Sequence, residues 1–217
     1  MAVEERPAVP AIANPAALGL AGFALTTFLL SVHNAMGETK ESLLVFFGFA
    51  IFYGGLAQFC AGMWEFKAGN TFGATAFTTY GGFWMGVAAT VVLVLWGKLP
   101  VADVTSTLAW ILVAFAIFNT YMLILSARTN VATFLVFLTL EVTEIVLAWG
   151  NFNGNQAGQG LVAIGGWLGI LTALVAWYTS AAVVANSLRA TPILPVGAAL
   201  WAETHAGITG MARPVPR

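Results

Sequence analysis

The sequence predicts an all-α polytopic membrane protein, with six transmembrane helices around a central path in each protomer. Three observations carry that prediction. Of 217 residues, 59% are hydrophobic and only 8% charged, whereas a soluble domain keeps roughly a quarter of its residues charged to hold a wet surface. Mean hydropathy is +0.88. Six apolar stretches reach the roughly 20 residues needed to cross about 30 Å of hydrocarbon, and short polar linkers separate them.

The first span, 16–36, follows Asn14-Pro15, a capping residue and a first-turn proline. The polar hinge EFKAGNT separates a second span, 43–64, from a third, 72–96. KLPVAD leads into the fourth, 104–126; the short ARTN leads into the fifth, 131–149; and NFNGNQAGQG leads into the sixth, 161–188. No soluble domain interrupts them, so 14–190 reads as one transmembrane domain with antiparallel neighbours. Residues 1–13 read as an N-terminal tail, and 191–217, rich in breakers (RATPILPVG, MARPVPR), as an irregular C-terminal tail. The N-terminus has no basic region running into an apolar core and cleavage site, so the first span is expected to direct insertion itself. Arg6, Lys67, Arg128, Arg189, Arg213 and Arg217 fall on one side, Lys40 and Lys98 on the other. By the positive-inside rule both termini are expected in the cytoplasm of a cell-membrane protein.

Composition also excludes function classes. A net charge of -1 with scattered basic residues gives no footprint for nucleic acid. Cys60 stands alone in an apolar run and reads as a packed side chain. With only His33 and His205 beside it, no metal cluster is expected, and no nucleotide or other cofactor motif is present. Ser42, Ser106, Ser126, Ser180 and Ser187 lack nearby histidines, and no lysine lies inside a span to hold retinal. These features point away from an enzyme.

Several residues are out of place in a plain anchor. The third span opens GNTFGATAFTTYGGFW, where Gly73, Thr75, Thr78, Thr79, Gly81 and Gly82 serve either tight helix packing or a water-facing wall. Tyr80 is harder to absorb, because a mid-membrane hydroxyl needs a partner or a water-filled path. In the first span Phe23, Thr27, Leu30 and Asn34 share one helical face with His33 beside it, as a bonded structural histidine or a relay. The fifth span carries TLEVTE, placing Glu141 and Glu144 among apolar residues. A mid-span acid costs about 3 kcal/mol, so it faces protein or water. Glu144 lies one turn from Leu140 on the same face and Glu141 on its flank. Two nearby acids in low dielectric resist being charged together, which makes them candidates for proton handling or, equally, for helix-packing bonds to Asn119 or Thr143. Gln58, Asn119 and the threonines offer hydrogen-bond donors. The helix starts after Asn14-Pro15 and Asn70-Thr71 present backbone N–H groups that suit a small anion.

NPAALGLAGFALTT at 14–27, FYGGLAQFCAGMWEFKAGNTFGATAFTTYGGFW at 52–84 and TPILPVG at 191–197 resemble the acetate uptake transporter family, the acetate and succinate permeases, over nearly the whole chain. The family opens Asn-Pro-Ala-Pro-Leu-Gly; here Ala17 replaces the second proline. The resemblance implies a homohexamer with a separate path through each protomer. It also implies a constriction formed by Phe23, Tyr80 and Leu140, an entrance lined by Asn14, and polar contacts from Thr27 and Thr79. The acid pair departs from bacterial members, which carry uncharged residues beside the constriction leucine. The implied cargo is acetate or another short monocarboxylate, by proton symport or an uncoupled anion channel. Succinate, lactate or ammonium transport and a membrane sensor or adaptor stand as alternatives.

Overall fold

Each apolar stretch becomes a helix whose ends are set by local chemistry. The computed structural model describes residues 12–37 and 40–201. The expected tails up to residue 11 and beyond 201, with Arg6, His205, Arg213 and Arg217, lie outside the described residues. Helix α1 (Ala16–Met36) follows Pro15, and the Asn14 side chain accepts the N–H of Ala16 at 3.0 Å. It stops at Gly37, whose φ of 69° an L side chain rarely adopts, with the Gly37 N–H returning to the His33 carbonyl.

The second span is interrupted. Helix α2 (Lys40–Ile51) passes through a π-helical segment, Phe52–Ala57, into α3 (Gln58–Lys67). That segment packs on α1, where Gly22 abuts the Tyr53 carbonyl and Gly54 abuts Thr26. A Cβ at either glycine would collide, so this pair fixes how closely the two spans approach.

Helix α4 (Thr71–Leu95) is capped by Asn70, α5 (Val101–Ser126) begins after Pro100, α6 (Val131–Phe152) is capped by Asn130, and α7 (Gly160–Ser187) follows the Asn155 loop. Six helical stretches are long and apolar enough to cross a membrane, and among the described residues no strand is present.

The spans close into a ring. Helix α1 packs on α7, α7 on α6, α6 on α5, and α3 on α4. Small residues make these seams: Gly166 meets the Ala35 backbone of α1, and Gly62 and Gly81 meet Thr78 and Phe59 across the α3–α4 seam. Thus part of the small-residue run in the third span serves packing, while Gly82 has open space around it. Helices α4 and α5 meet more loosely, and Tyr80 and Phe83 fill the gap against Phe115 and Phe118.

After α7 the chain turns back across the bundle. The Asn186 side chain accepts the N–H groups of Ile193 and Leu194 and donates to the Leu194 carbonyl. Tyr178 donates to the Pro195 carbonyl at 2.6 Å, and the N–H of Ala132 in the first turn of α6 donates to Val196 at 2.9 Å. Residues 191–201 are therefore irregular but strapped to the helices.

Candidate functional site

Three capping asparagines share one mouth. Asn14, Asn70 and Asn130 all line a cavity of about 480 Å³, so α1, α4 and α6 start from the same side and run in one direction. Asn70 Oδ1 accepts from the Gly73 N–H at 3.2 Å and Asn130 Oδ1 from the Thr133 N–H at 2.8 Å. Each acceptor is engaged by its own helix, which leaves the amide donor end turned away from it. Three helix N-termini also direct their positive ends toward this space. Val196 of the returning strap forms part of the same wall.

Phe23, Tyr80 and Leu140 lie nine or ten residues beyond those caps, about 14 Å along each helix and hence near mid-membrane. All three line the cavity, and each is nearly buried, at 4%, 4% and 6% exposure. The Phe23 and Tyr80 rings meet edge to face with centroids 5.6 Å apart. One turn further, Phe46 and Trp84 anchor a second apolar cluster that includes Leu30.

Behind Tyr80 lies the acid pair. The Tyr80 hydroxyl stands 3.2 Å from both Glu144 Oε1 and Asn119 Oδ1. Asn119 Nδ2 donates to the Phe137 carbonyl at 2.9 Å and to Glu141 Oε2 at 2.7 Å, while Glu141 Oε1 meets the Thr120 hydroxyl at 2.7 Å. One network thus runs from Tyr80 across α5 to the outer flank of the bundle. There, Glu141 and Thr120 line a groove of about 350 Å³ between α5 and α6. Glu144 is 4% exposed and its Oε2 has no partner among the described residues.

The other residues singled out from sequence separate into distinct places. Asn119 is fully buried and stands behind the path, because the bonds to Phe137 and Glu141 turn it into the α5–α6 seam. Thr27 is buried one turn beyond Phe23, off the cavity wall, and its hydroxyl has no partner among the described residues. Gln58 is buried where α3 crosses Gly22 of α1. Thr79 is half-buried beside Tyr80 but off the cavity wall. Asn34 lies at the opposite end of α1 from the mouth, its carbonyl accepting the Gly158 N–H at 2.8 Å. Thr143 faces α7, 3.2 Å from the Thr172 hydroxyl.

Sequence reasoning missed Glu65. Read as part of a polar hinge, it is 1% exposed and accepts from Asn70 Nδ2 at 2.8 Å, while the Asn70 N–H donates to its carbonyl at 2.9 Å. A Cβ on Gly73 would lie 2.9 Å from the Glu65 carboxyl carbon, so the glycine makes room for the acid. The available signal was the spacing itself, an acid five residues before a helix-capping asparagine.

The GPR1/FUN34/yaaH family matches residues 3–198. Acetate permease A of Emericella nidulans is 40% identical over 207 residues, covering 88% of this chain and 68% of that protein. The succinate-acetate/proton symporter SatP of Escherichia coli K12 is 37% identical over 188 residues, covering 86% of this chain and 96% of SatP. A solved structure described as the bacterial acetate channel SatP superposes with a TM-score of 0.78 at 36% identity, covering 86% of this chain and 99% of that one.

Proposed function

Because the chain belongs to the GPR1/FUN34/yaaH family, we propose that it transports acetate and related short monocarboxylates across a membrane, coupled to protons. It is a transport protein, not an enzyme. The observation that carries the reading is one cavity that begins at three asparagine-capped helix N-termini and ends at Phe23, Tyr80 and Leu140. The mouth attracts a carboxylate through helix-end dipoles and the amide donors of Asn14 and Asn130, the Asn70 amide being held by Glu65. The apolar constriction accepts a methyl end, disfavours bulkier acids and resists wetting.

Coupling follows from energetics and from the acid behind the ring. An anion entering a negative-inside cell moves against about 2.3 kcal/mol per 100 mV, so accumulation needs a driving ion. Glu144, bonded to Tyr80, is the proton-handling residue in this reading, with Glu141 its neighbour in the same network. Glu144 carries its proton while the anion passes, since an ionised carboxylate there would repel it. The distribution of Lys and Arg supports cytoplasmic termini in the cell membrane, with the cavity mouth, beside Lys67, Arg128 and Arg189, facing the cytoplasm. Relatedness to the hexameric permeases supports a homohexamer with one path per protomer.

Labelled-acetate uptake into proteoliposomes, with internal pH recorded and potential clamped, tests the proposal. Acetate and protons entering in fixed ratio are expected. Entry that follows only the anion's electrochemical gradient, after correction for acetic-acid leakage through lipid, would refute coupling and leave an anion channel.

A further inference from the structure

Each of the two hydroxyls in the acid network stands between two acceptors. Thr120 has one hydroxyl proton but two acceptors, the Ala116 carbonyl at 2.8 Å and Glu141 Oε1 at 2.7 Å. Tyr80 likewise has one proton and two acceptors at 3.2 Å, Asn119 Oδ1 and Glu144 Oε1. The Asn119 amide cannot turn over to help, because a flip would set its oxygen against the Phe137 carbonyl. Both contacts of the Tyr80 hydroxyl are met at once when Glu144 carries a proton. Glu144 then donates to Tyr80, Tyr80 to Asn119, and Asn119 to Phe137 and Glu141, while the Thr120 hydroxyl donates to Glu141 from the other side. Removing the proton from Glu144 frees an acceptor, and the Tyr80 hydroxyl turns from Asn119 to the carboxylate.

We infer that Asn119 is a positioning residue for the constriction: clamped by Glu141, it holds the Tyr80 hydroxyl on the α5 side, and that hydroxyl turns to Glu144 when Glu144 gives up its proton. The inference rests on the transport reading only in treating the constriction as a gate. It divides the acid pair. Glu141, half-buried on the outer flank, fixes an amide, while Glu144, behind the ring, changes state. Few other groups compete for that role. Glu141 on α6, bonded to Asn119, and Tyr121 on α5, packed on Phe118, are the further titratable side chains of this neighbourhood. Helix α1 presents the Phe23 ring to Tyr80, and α7 presents Thr172 to Thr143. The described lysines and arginines with placed side chains, Lys67, Lys98, Arg128 and Arg189, lie at helix ends or in loops.

Infrared difference spectra across a pH step, on the reconstituted oligomer with ring-labelled tyrosine, read the turn directly. In the wild type a carboxylic C=O change, lost in Glu144→Gln, is expected together with a shift of the tyrosine C–O stretch, lost in Tyr80→Phe. Asn119→Leu is expected to keep the carboxyl change and lose the tyrosine shift. In acetate flux, Glu141→Leu is expected to cost about fivefold, the worth of one hydrogen bond. Glu141→Gln recovers most of it, because its amide donates to Thr120 and accepts from Asn119. An unchanged tyrosine shift in Asn119→Leu overturns the inference. If that variant does not assemble, the Glu141 pair decides, and equal impairment of Gln and Leu overturns it. A wild type that moves no acetate defeats the transport reading instead, while the infrared arm still decides the hydroxyl's position.

Discussion

Tyr80→Phe isolates the hydroxyl from the ring. The aromatic packing against Phe23, Phe83, Phe115 and Phe118, with centroids between 5.6 and 6.4 Å, survives the substitution. What disappears is the single proton shared between Asn119 and Glu144. Interhelical hydrogen bonds in membranes average about 0.6 kcal/mol and reach about 1.7, whereas leaving a buried acceptor unsatisfied costs about 1–3 kcal/mol. Asn119 Oδ1 loses its donor in a fully buried setting, so a destabilisation of about 1–2 kcal/mol is expected. Thermal unfolding of the oligomer in mild detergent, compared at fixed protein concentration, measures that loss. Flux should change differently. Because the ring keeps its bulk and only one hydrogen bond is lost, acetate uptake at the most favourable pH is expected to fall about fivefold, as in Glu141→Leu. The pH dependence of uptake should flatten, since Glu144 no longer reaches the ring through a hydroxyl. A variant with wild-type stability and a wild-type pH profile would refute the network as a coupling element and leave Tyr80 as a bulky wall residue.

Three further comparisons test the scaffold. Glu65→Leu removes the acceptor of Asn70 Nδ2 and should lower the melting temperature through a loss of about 1–2 kcal/mol, while Glu65→Gln retains the bond and stays near wild type. Gly81→Ala places a Cβ 2.8 Å from Phe59, so α3 and α4 must separate at a cost of about 1–3 kcal/mol, whereas Gly82→Ala enters open space and is tolerated. Paired melts in detergent give the comparison, and equal effects would refute the close approach. Asn186→Ala breaks the three side-chain bonds to residues 193 and 194, and hydrogen exchange should quicken at Ile193, Leu194 and Ala132 without a matching change in α4.

The spans were legible because hydrophobic length and breaker residues act locally. Asn14-Pro15 and Asn70 announce helix starts through their own side chains, and these are ends the structure shows, whereas the Asn130 cap of α6 emerged only from the structure. The fifth helix runs past the expected 149 to Phe152, because Asn151 bonds back to the Leu147 carbonyl at 2.8 Å instead of leaving the helix. The π segment at Phe52–Ala57 has no comparable local sign. Its extra residue is fitted against Gly22 and Thr26 of another span, and hydropathy is blind to such a shift. Asn119 was legible as a buried donor but not as one turned away from the path, since a helix that is apolar all round carries little information about which face looks inward. Glu65 was hidden by its neighbours. A glutamate beside Lys67 near a span end reads as wet, and its spacing from Asn70 gains meaning only once Gly73 on the next helix is seen to open the pocket that receives it.

An acid one turn beyond an anion's constriction is less paradoxical than it first looks. The cavity wall includes Leu140 but not Glu144, so the positive helix ends and the carboxyl lie on opposite sides of the ring. A carboxylate waiting at the mouth is stabilised without Glu144, and one crossing the ring meets it. If the neutral acid favours crossing by some factor, reciprocity requires that an acetate held in the crossing position tighten proton binding at Glu144 by the same factor. A difference of about 1.4 kcal/mol between the two states amounts to tenfold in either direction. In the proposed mechanism the apolar ring serves coupling as well as selection, because it keeps water from carrying the proton independently of the anion. Coupling does not reside at Glu141 in the proposed mechanism: on the outer flank and separated from the cavity by Asn119 and Tyr80, it gains no direct interaction with a crossing anion and acts only through the amide it holds.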